Sequence, residues 1–249
     1  LAIDRVFLVK GAGVVVTGTA LAGKIQVGES LWVTGADKQV RVRGIHRQNQ
    51  ISEFAVAGDR VALNLVGDID KENITRGDWL LAEQPAFIAT RVIVELECDA
   101  LIKHWQPVHL YHGASHITGR VSLLVEQGET PVLAELILDT PLWLVENDRL
   151  IIRDISARQT LGGARVIRLV SPRRGKRLPE FLDWLSKLCR EQDELAHFKL
   201  QLPQGELNLR DYSWARQLTH DVLDNLLAQM DVERVGNHVL STFKAQIAK

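Results

Sequence analysis

The sequence has no G-x-x-x-x-G-K-[ST] phosphate loop, the pattern in which backbone N–H groups and a lysine cradle the β- and γ-phosphates of a nucleotide. Its nearest approach, Gly11-x-Gly13, lacks the following lysine and helix and runs into Val14-Val15-Val16, which is β-branched strand material. These are turn glycines rather than a nucleotide site. Only two cysteines occur, Cys98 and Cys189, far apart and without disulfide or metal-ligand spacing, which fits a reducing cytoplasm. No apolar stretch approaches the ~20 residues needed to span a bilayer, and the start has no signal peptide, so no membrane partner is expected. A formal net charge of −1 over 249 residues gives no bulk attraction to nucleic acid, so RNA binding would have to come from local patches. The chain starts at Leu1 and its single methionine is Met230, which predicts a processed chain or a piece cut from something larger.

What is present is 46% hydrophobic residues, enough for a globular protein of two or three domains. From Leu1 to about Ala82, short β-rich runs alternate with turns: Val14 to Thr19, Ser30 to Val33, Val40 to Ile45, Arg60 to Val66 and Trp79 to Leu81. Val27-Gly28-Glu29, Ala57-Gly58-Asp59 and Arg76-Gly77-Asp78 each place a glycine-acid pair just before a strand, a sensible turn chemistry. The spacing predicts a small closed barrel over 1–83. After Glu83-Gln84-Pro85 come six further runs, Arg91 to Leu96, Val108 to Tyr111, Arg120 to Leu124, Ala134 to Leu138, Arg149 to Arg153 and Arg165 to Leu169, which predict a second barrel over 86–170.

The period then changes. A basic linker over 171–178 leads to Phe181, Leu182, Leu185 and Leu188, an amphipathic helical face. Asn208 to Leu218 predicts a second helix and Thr219 to Met230 a third, capped by Thr219. Val232 to Thr242, with Gly236-Asn237 between apolar runs, predicts a hairpin. Helix, helix, helix, hairpin is the order of a winged helix, expected over 179–249. The third helix of such a module meets phosphates through lysine or arginine, whereas Thr219 to Asp231 carries Asp221, Asp224 and Asp231 and neither cation. A spacer or protein-contacting module is expected. The fold class is therefore mainly β, with two consecutive small barrels followed by an α/β winged-helix domain.

The run Ala2-Ile3-Asp4-Arg5-Val6-Phe7, continuing through Lys10-Gly11-Ala12-Gly13-Val14-Val15-Val16-Thr17-Gly18-Thr19, resembles the opening of the second domain of translational GTPases, the barrel that holds charged tRNA. Further stretches, Asn64 to Leu81, Ala114 to Leu124 and Asp139 to Arg177, extend the resemblance over essentially the whole chain. Barrel, barrel, winged helix resembles the order behind the GTPase domain in the bacterial selenocysteine-specific elongation factors. The resemblance implies that this chain delivers selenocysteyl-tRNA to the ribosome at recoded UGA codons. It also implies that GTP and magnesium belong to a nucleotide-binding domain outside this chain, and the mRNA hairpin to later winged helices. No catalytic residue and no cofactor is expected within it. The alternatives are the corresponding part of another translational GTPase, an elongation factor Tu or initiation factor relative, and an all-β enzyme with a helical regulatory domain.

Chemistry narrows the site. A selenol is more acidic than a thiol, whose own pKa is ~8.5, so selenocysteine on tRNA is an anion where serine on the same tRNA is neutral. Arginine, always charged and rigidly planar, favours the anion in a partly desolvated pocket. Elongation factor Tu typically has an acidic residue where this chain has Arg5 and an asparagine where it has Arg60. By resemblance, Asp4, Arg5 and Arg60 match the selenocysteine pocket: Arg5 and Arg60 as anion contacts, Asp4 orienting a guanidinium or meeting the α-amino group. From the residues alone, Asp59-Arg60 reads as a turn followed by a solvated surface arginine.

Two further groups are candidates for the tRNA backbone. Arg158, Gln159, Thr160, Gly162 and Gly163 form a polar, glycine-containing turn similar to the stretch of elongation factor Tu near the tRNA T-stem, where small groups approach phosphates. Barrel closure explains those glycines as well. Arg173, Arg174, Lys176 and Arg177 suit either an extended strip along RNA or a solvated linker. His104, His109, His112 and His116 tempt a metal reading, but His109 and His112 are three apart on a strand and point to opposite faces, so no metal site is expected.

Overall fold

Nine strands form from the alternating residues of the first 81 positions in the computed structural model: β1 (Ala2–Val9), β2 (Gly13–Thr19), β3 (Lys24–Gln26), β4 (Ser30–Val33), β5 (Lys38–Arg47), β6 (Gln50–Ser52), β7 (Phe54–Val56), β8 (Arg60–Val66) and β9 (Leu80–Leu81). The structure describes residues 1–98, 100–126, 128, 131–202, 207–230 and 232–241. The chain divides into two units, Leu1–Pro85 with Tyr111–His116, and Ala86–Leu110 with Ile117–Lys249. In the first unit the sheet runs β1-β2-β8-β5-β4-β9, with β6 beside β5 and a separate β3–β7 pair. The ring closes at β1, where Ala2 bridges Trp79 and Ile3 and Asp78 join through Ile3 N–H to Asp78 C=O at 2.9 Å. Inward residues such as Ile3, Val16, Val33, Val42, Ile45 and Leu63 are wholly buried in one core.

The three glycine-acid pairs are one turn used three times. Gly28, Gly58 and Gly77 take φ of +88°, +93° and +99°, values that cost a residue with a Cβ but not glycine. The acid's N–H donates to the carbonyl three residues back, Gln26, Val56 or Thr75, at 3.2, 3.0 and 3.2 Å. Its carboxylate accepts from the N–H of that same residue at 2.8, 2.9 and 2.7 Å. The second unit repeats the turn with Asn147 at φ +69° in place of glycine, and Asp148 accepts from Val145 N–H at 2.8 Å.

The second barrel is closed, in the order β10-β13-β12-β11-β14-β15, from β10 (Ala89–Cys98), β11 (Gln106–His112), β12 (Ser115–Leu123), β13 (Val132–Leu142), β14 (Arg149–Asp154) and β15 (Thr160–Arg168). Gly162 lies where β15 passes β10. A Cβ there would sit 2.4 Å from the Glu97 carbonyl oxygen and 2.6 Å from Cys98 Cα, so the strands approach as they do only because the side chain is missing.

The helical segment differs from expectation in two elements. Between α1 (Pro179–Arg190) and α3 (Leu209–Arg216) the structure inserts α2 (Glu194–Gln201) and the short β16 (Leu207–Asn208), before α4 (His220–Ala228) and the hairpin β17 (Val232–Val235) and β18 (His238–Ser241). β16 joins that hairpin in the order β16-β18-β17. The winged-helix order is thus α2-β16-α3-α4-β17-β18, with α1 preceding it. Asn208 caps α3 through Asp211 N–H and Thr219 caps α4 through Val222 N–H. α4 exposes Asp221 and Asp224. Asp231 and Thr242 lie outside the described residues.

The Asp78 turn yields a contrast. Its carboxylate accepts from Thr75 N–H at 2.7 Å and from the hydroxyls of Thr75 and Thr34, each at 3.1 Å. Among the described residues Asp68 makes only an exposed pair with Lys38. Asp78→Ala is expected to lower unfolding free energy by about 2 kcal/mol or more and Asp68→Ala to leave it nearly unchanged, measured by urea denaturation; equal effects would contradict the assignment.

Candidate functional site

A bulge in β1 builds the site. Ile3 pairs with Gly18 and Arg5 with Thr17, leaving Asp4 as the extra residue. Ile3 and Val6 both face the core although they are three apart, so Asp4 and Arg5 both lie on the outer face between them. On β8, Arg60 pairs with Thr19 and lies on the same face, outside the buried Val61. Asp4 receives both Arg60 Nη1 and, at 3.2 Å, Arg60 Nη2, a two-point pair, and accepts from Thr17 Oγ1 at 2.7 Å. The Arg60 hydrogen bonds hold the Asp4 carboxyl below its ordinary value against partial burial, with Thr17 and the charges of Arg60 and Arg5 assisting. The same pairing with Asp4 raises Arg60 further. Arg5 is exposed and, among the described residues, makes no hydrogen bond or ion pair. The structure therefore brings the three predicted residues together: a carboxylate-fixed guanidinium, and a second guanidinium on the same face.

Around the turn 154–159 the order is local. Asp154 accepts from Ser156 N–H at 3.0 Å and from the Ser156 hydroxyl and Gln159 N–H, and these bonds, the Ser156 hydroxyl foremost, hold its carboxyl low. Arg153 Nη2 donates to Ala157 C=O at 2.5 Å. Arg158, Gln159 and Thr160 are exposed on this rigid corner. Of the glycines, Gly162 is explained by the close pass of β10, whereas a Cβ on Gly163 would meet only Leu150 O at 3.6 Å.

The basic linker splits. Lys176 Nζ contacts the buried Glu135 of β13 at 2.5 Å, and Arg177 Nη2 donates to Ser122 Oγ and Leu123 C=O, each at 3.0 Å. Both therefore serve the second barrel. Arg173 and Arg174 are exposed and make no ion pair among the described residues. Sequence reasoning missed a second polar cluster, Glu146, Glu194, His197, Tyr212 and Arg216, between the second barrel and the helices of the same unit. Its members are spread over seventy positions with no shared motif, which left no signal to find. Among the described residues no helix is long and apolar enough to cross a membrane.

Residues 89–173 match the family model described as selenocysteine-specific elongation factor, beta-barrel domain, and residues 179–226 that described as winged helix 1/3 of the same factor. Residues 13–81 match elongation factor Tu domain 2. The chain is 55% identical over 241 residues, 97% of its length, to the selenocysteine-specific elongation factor of Escherichia coli (strain K12). To that of Haemophilus influenzae it is 41% identical over 238 residues, 94% of its length. It spans 38% of the length of each of these relatives. A bacterial selenocysteine-specific elongation factor of known structure shares the fold over 98% of this chain and 40% of its own, with a TM-score of 0.77 at 23% identity.

The Asp4–Arg60 pair is open to direct titration. Because the folded carboxyl is depressed, its contribution to stability is present above the unfolded value of ~3.9 and is lost as pH falls through the folded one. Arg60→Met is expected to return the Asp4 carboxyl toward ~3.9 in a carbon-detected NMR titration; an unmoved midpoint would refute the pairing.

Proposed function

On the premise that the chain belongs to the selenocysteine-specific elongation factor family, we propose that its two barrels hold selenocysteyl-tRNA and that the aminoacyl group is read by Arg5 and Arg60 on the outer face of the first barrel. The observation that carries this reading is the bulge that turns Asp4 and Arg5 outward beside an Arg60 held at two points by Asp4. A guanidinium fixed in this way loses little side-chain freedom on meeting a selenolate, and Arg5 adds a second positive charge. A serine hydroxyl on the same tRNA offers no charge to either.

In this reading Asp4 is a positioning residue. Its partial neutralisation of Arg60 keeps the local charge near +1 before the anion arrives, which limits attraction for unrelated anions. The tRNA body lies along exposed groups of the second barrel, Arg158, Gln159 and Thr160 at the corner held by Asp154, with half-buried Gly163 further along β15 and Arg173 and Arg174 beyond it. Lys176 and Arg177 support this surface by fastening the linker to β13 and β12. GTP and magnesium are assigned to a nucleotide-binding domain outside this chain, which itself carries no reaction chemistry. The ribosome is the proposed destination of the complex. Arg5 and Arg60 favour this reading over that of a general elongation factor, which has no use for paired cations at an amino acid.

Arg5→Gln and Arg60→Gln are each expected to lower the preference for selenocysteyl- over seryl-tRNA by about 10-fold, while seryl-tRNA binding changes little. Nitrocellulose-filter competition with the singles and the double variant tests this. Coupling of the two substitutions supports a shared pocket, whereas strict additivity or equal weakening toward both tRNAs opposes it.

A further inference from the structure

The helices after residue 178 meet the second barrel in two chemically different ways. Trp184, Leu185 and Leu188 of α1 join Ile93, Leu133 and Ile167 of the barrel in one apolar cluster. Arg165 Nη2 donates to the Cys189 carbonyl at 2.9 Å and pairs with Glu95 at 2.6 Å, fastening the end of α1 to β15 and β10. The segment from α2 onward has its own core of Phe198, Leu202, Leu209, Tyr212, Leu223 and Val239. Beyond Leu200, which packs against the α1 cluster and accepts Trp184 Nε1–H on its carbonyl at 2.7 Å, a polar cluster seats this segment on the barrel. Glu146, in the turn between β13 and β14, donates its N–H to the Ala215 carbonyl of α3 at 2.8 Å. Its buried carboxylate lies 3.5 Å from both Arg216 Nη1 and His197 Nε2. Arg216 in turn holds Glu194 at 2.6 Å, and the Tyr212 hydroxyl donates to Glu194 at 2.7 Å. Arg168 of β15 reaches Gln201 at 3.2 Å, and Trp214 and Ala215 supply apolar contact.

An apolar seat is non-directional and loosens gradually, whereas a buried charge cluster is stable only when complete, because each charge left alone bears its full desolvation cost. Only Glu191, Gln192 and Asp193 separate the two helices with these unlike seats. We propose that the winged-helix module α2–β18 is a separable unit, seated on the second barrel by the Glu146 cluster and hinged at Glu191–Asp193, with α1 remaining part of the barrel when the module lifts. This inference is independent of the tRNA reading.

The electrostatics agree. Burial raises Glu146 to about 7, opposed by Arg216 and Arg168 and reinforced by Glu194. Burial, then Arg216 and Arg168, lowers His197 to about 4 against the pull of Glu194. At neutral pH His197 is therefore uncharged, Glu146 is poised between its protonated and ionised forms, and Arg216 lies against both Glu146 and Glu194, with Arg168 a second cation acting on Glu146.

Amide exchange on this chain by NMR reads the seat directly, because the residue-146 amide bonds across it. In the wild type that amide is expected to exchange at least about 10-fold faster than amides in the middle of β10 and α4, reflecting a local opening below global unfolding. Glu146→Lys, which sets a cation against Arg216 and Arg168 without touching the module's own core, is expected to accelerate it a further ~10-fold, with β10 and α4 within about twofold of wild type. Arg216→Met is expected to do the same to residue 146 while leaving β10 unchanged. Equal protection of all three regions in the wild type, or their joint loss in the variants, overturns the proposal. Should Glu146→Lys not fold, the wild-type ratio and Arg216→Met decide.

Discussion

Closing the first barrel on β1 is the constraint from which the candidate site follows. β1 pairs with β2 along its length and also meets residues 77–80 on its other edge. With strict alternation from Ile3, Arg5 would point into the core and Val6 out of it. An arginine buried without a partner costs several kcal/mol, and losing Val6 from the core adds to that. The extra residue at Asp4 resets the alternation, returning Val6 to the core and leaving Asp4 and Arg5 outside together. One irregularity of the backbone thus serves closure and places a carboxylate and a guanidinium beside Arg60.

Much of this was legible in the sequence, and the exceptions have physical reasons. Strands with alternating apolar residues announced both barrels and the glycine-acid turns marked the first, because period two and a positive φ are written in residue type. The bulge was not legible, since Ile3-Asp4-Arg5-Val6 reads equally well as a plain strand and the slip is imposed by pairing partners. α2 was missed because its buried face is His197, Phe198 and Gln201, two of them polar, so its eight residues lack an apolar stripe. Gly162 and Gly163 look alike in sequence, yet only the first is demanded by a neighbouring strand.

Charge in this chain is divided between structure and surface in a way that composition conceals. Lys176 and Arg177 neutralise and bridge groups of the second barrel, whereas Arg173 and Arg174 face solvent two residues away. Arg165 and Arg216 are tied to carboxylates and helix ends, and Arg5, Arg158 and Arg174 are exposed. A net charge of −1 is therefore compatible with a local anion-binding surface, because the balancing acids sit in turns, caps and buried pairs elsewhere.

The central claim is that a negative charge on the amino acid, rather than its shape, is what the proposed pocket recognises. Competition between selenocysteyl-tRNA and the same tRNA carrying serine, followed from neutral pH to below the selenol pKa, tests it most directly. The account predicts a preference for selenocysteyl-tRNA at neutral pH that fades as the selenol is protonated, with seryl-tRNA binding unchanged. A preference that persists on acidification, or equal binding of both at neutral pH, would contradict it.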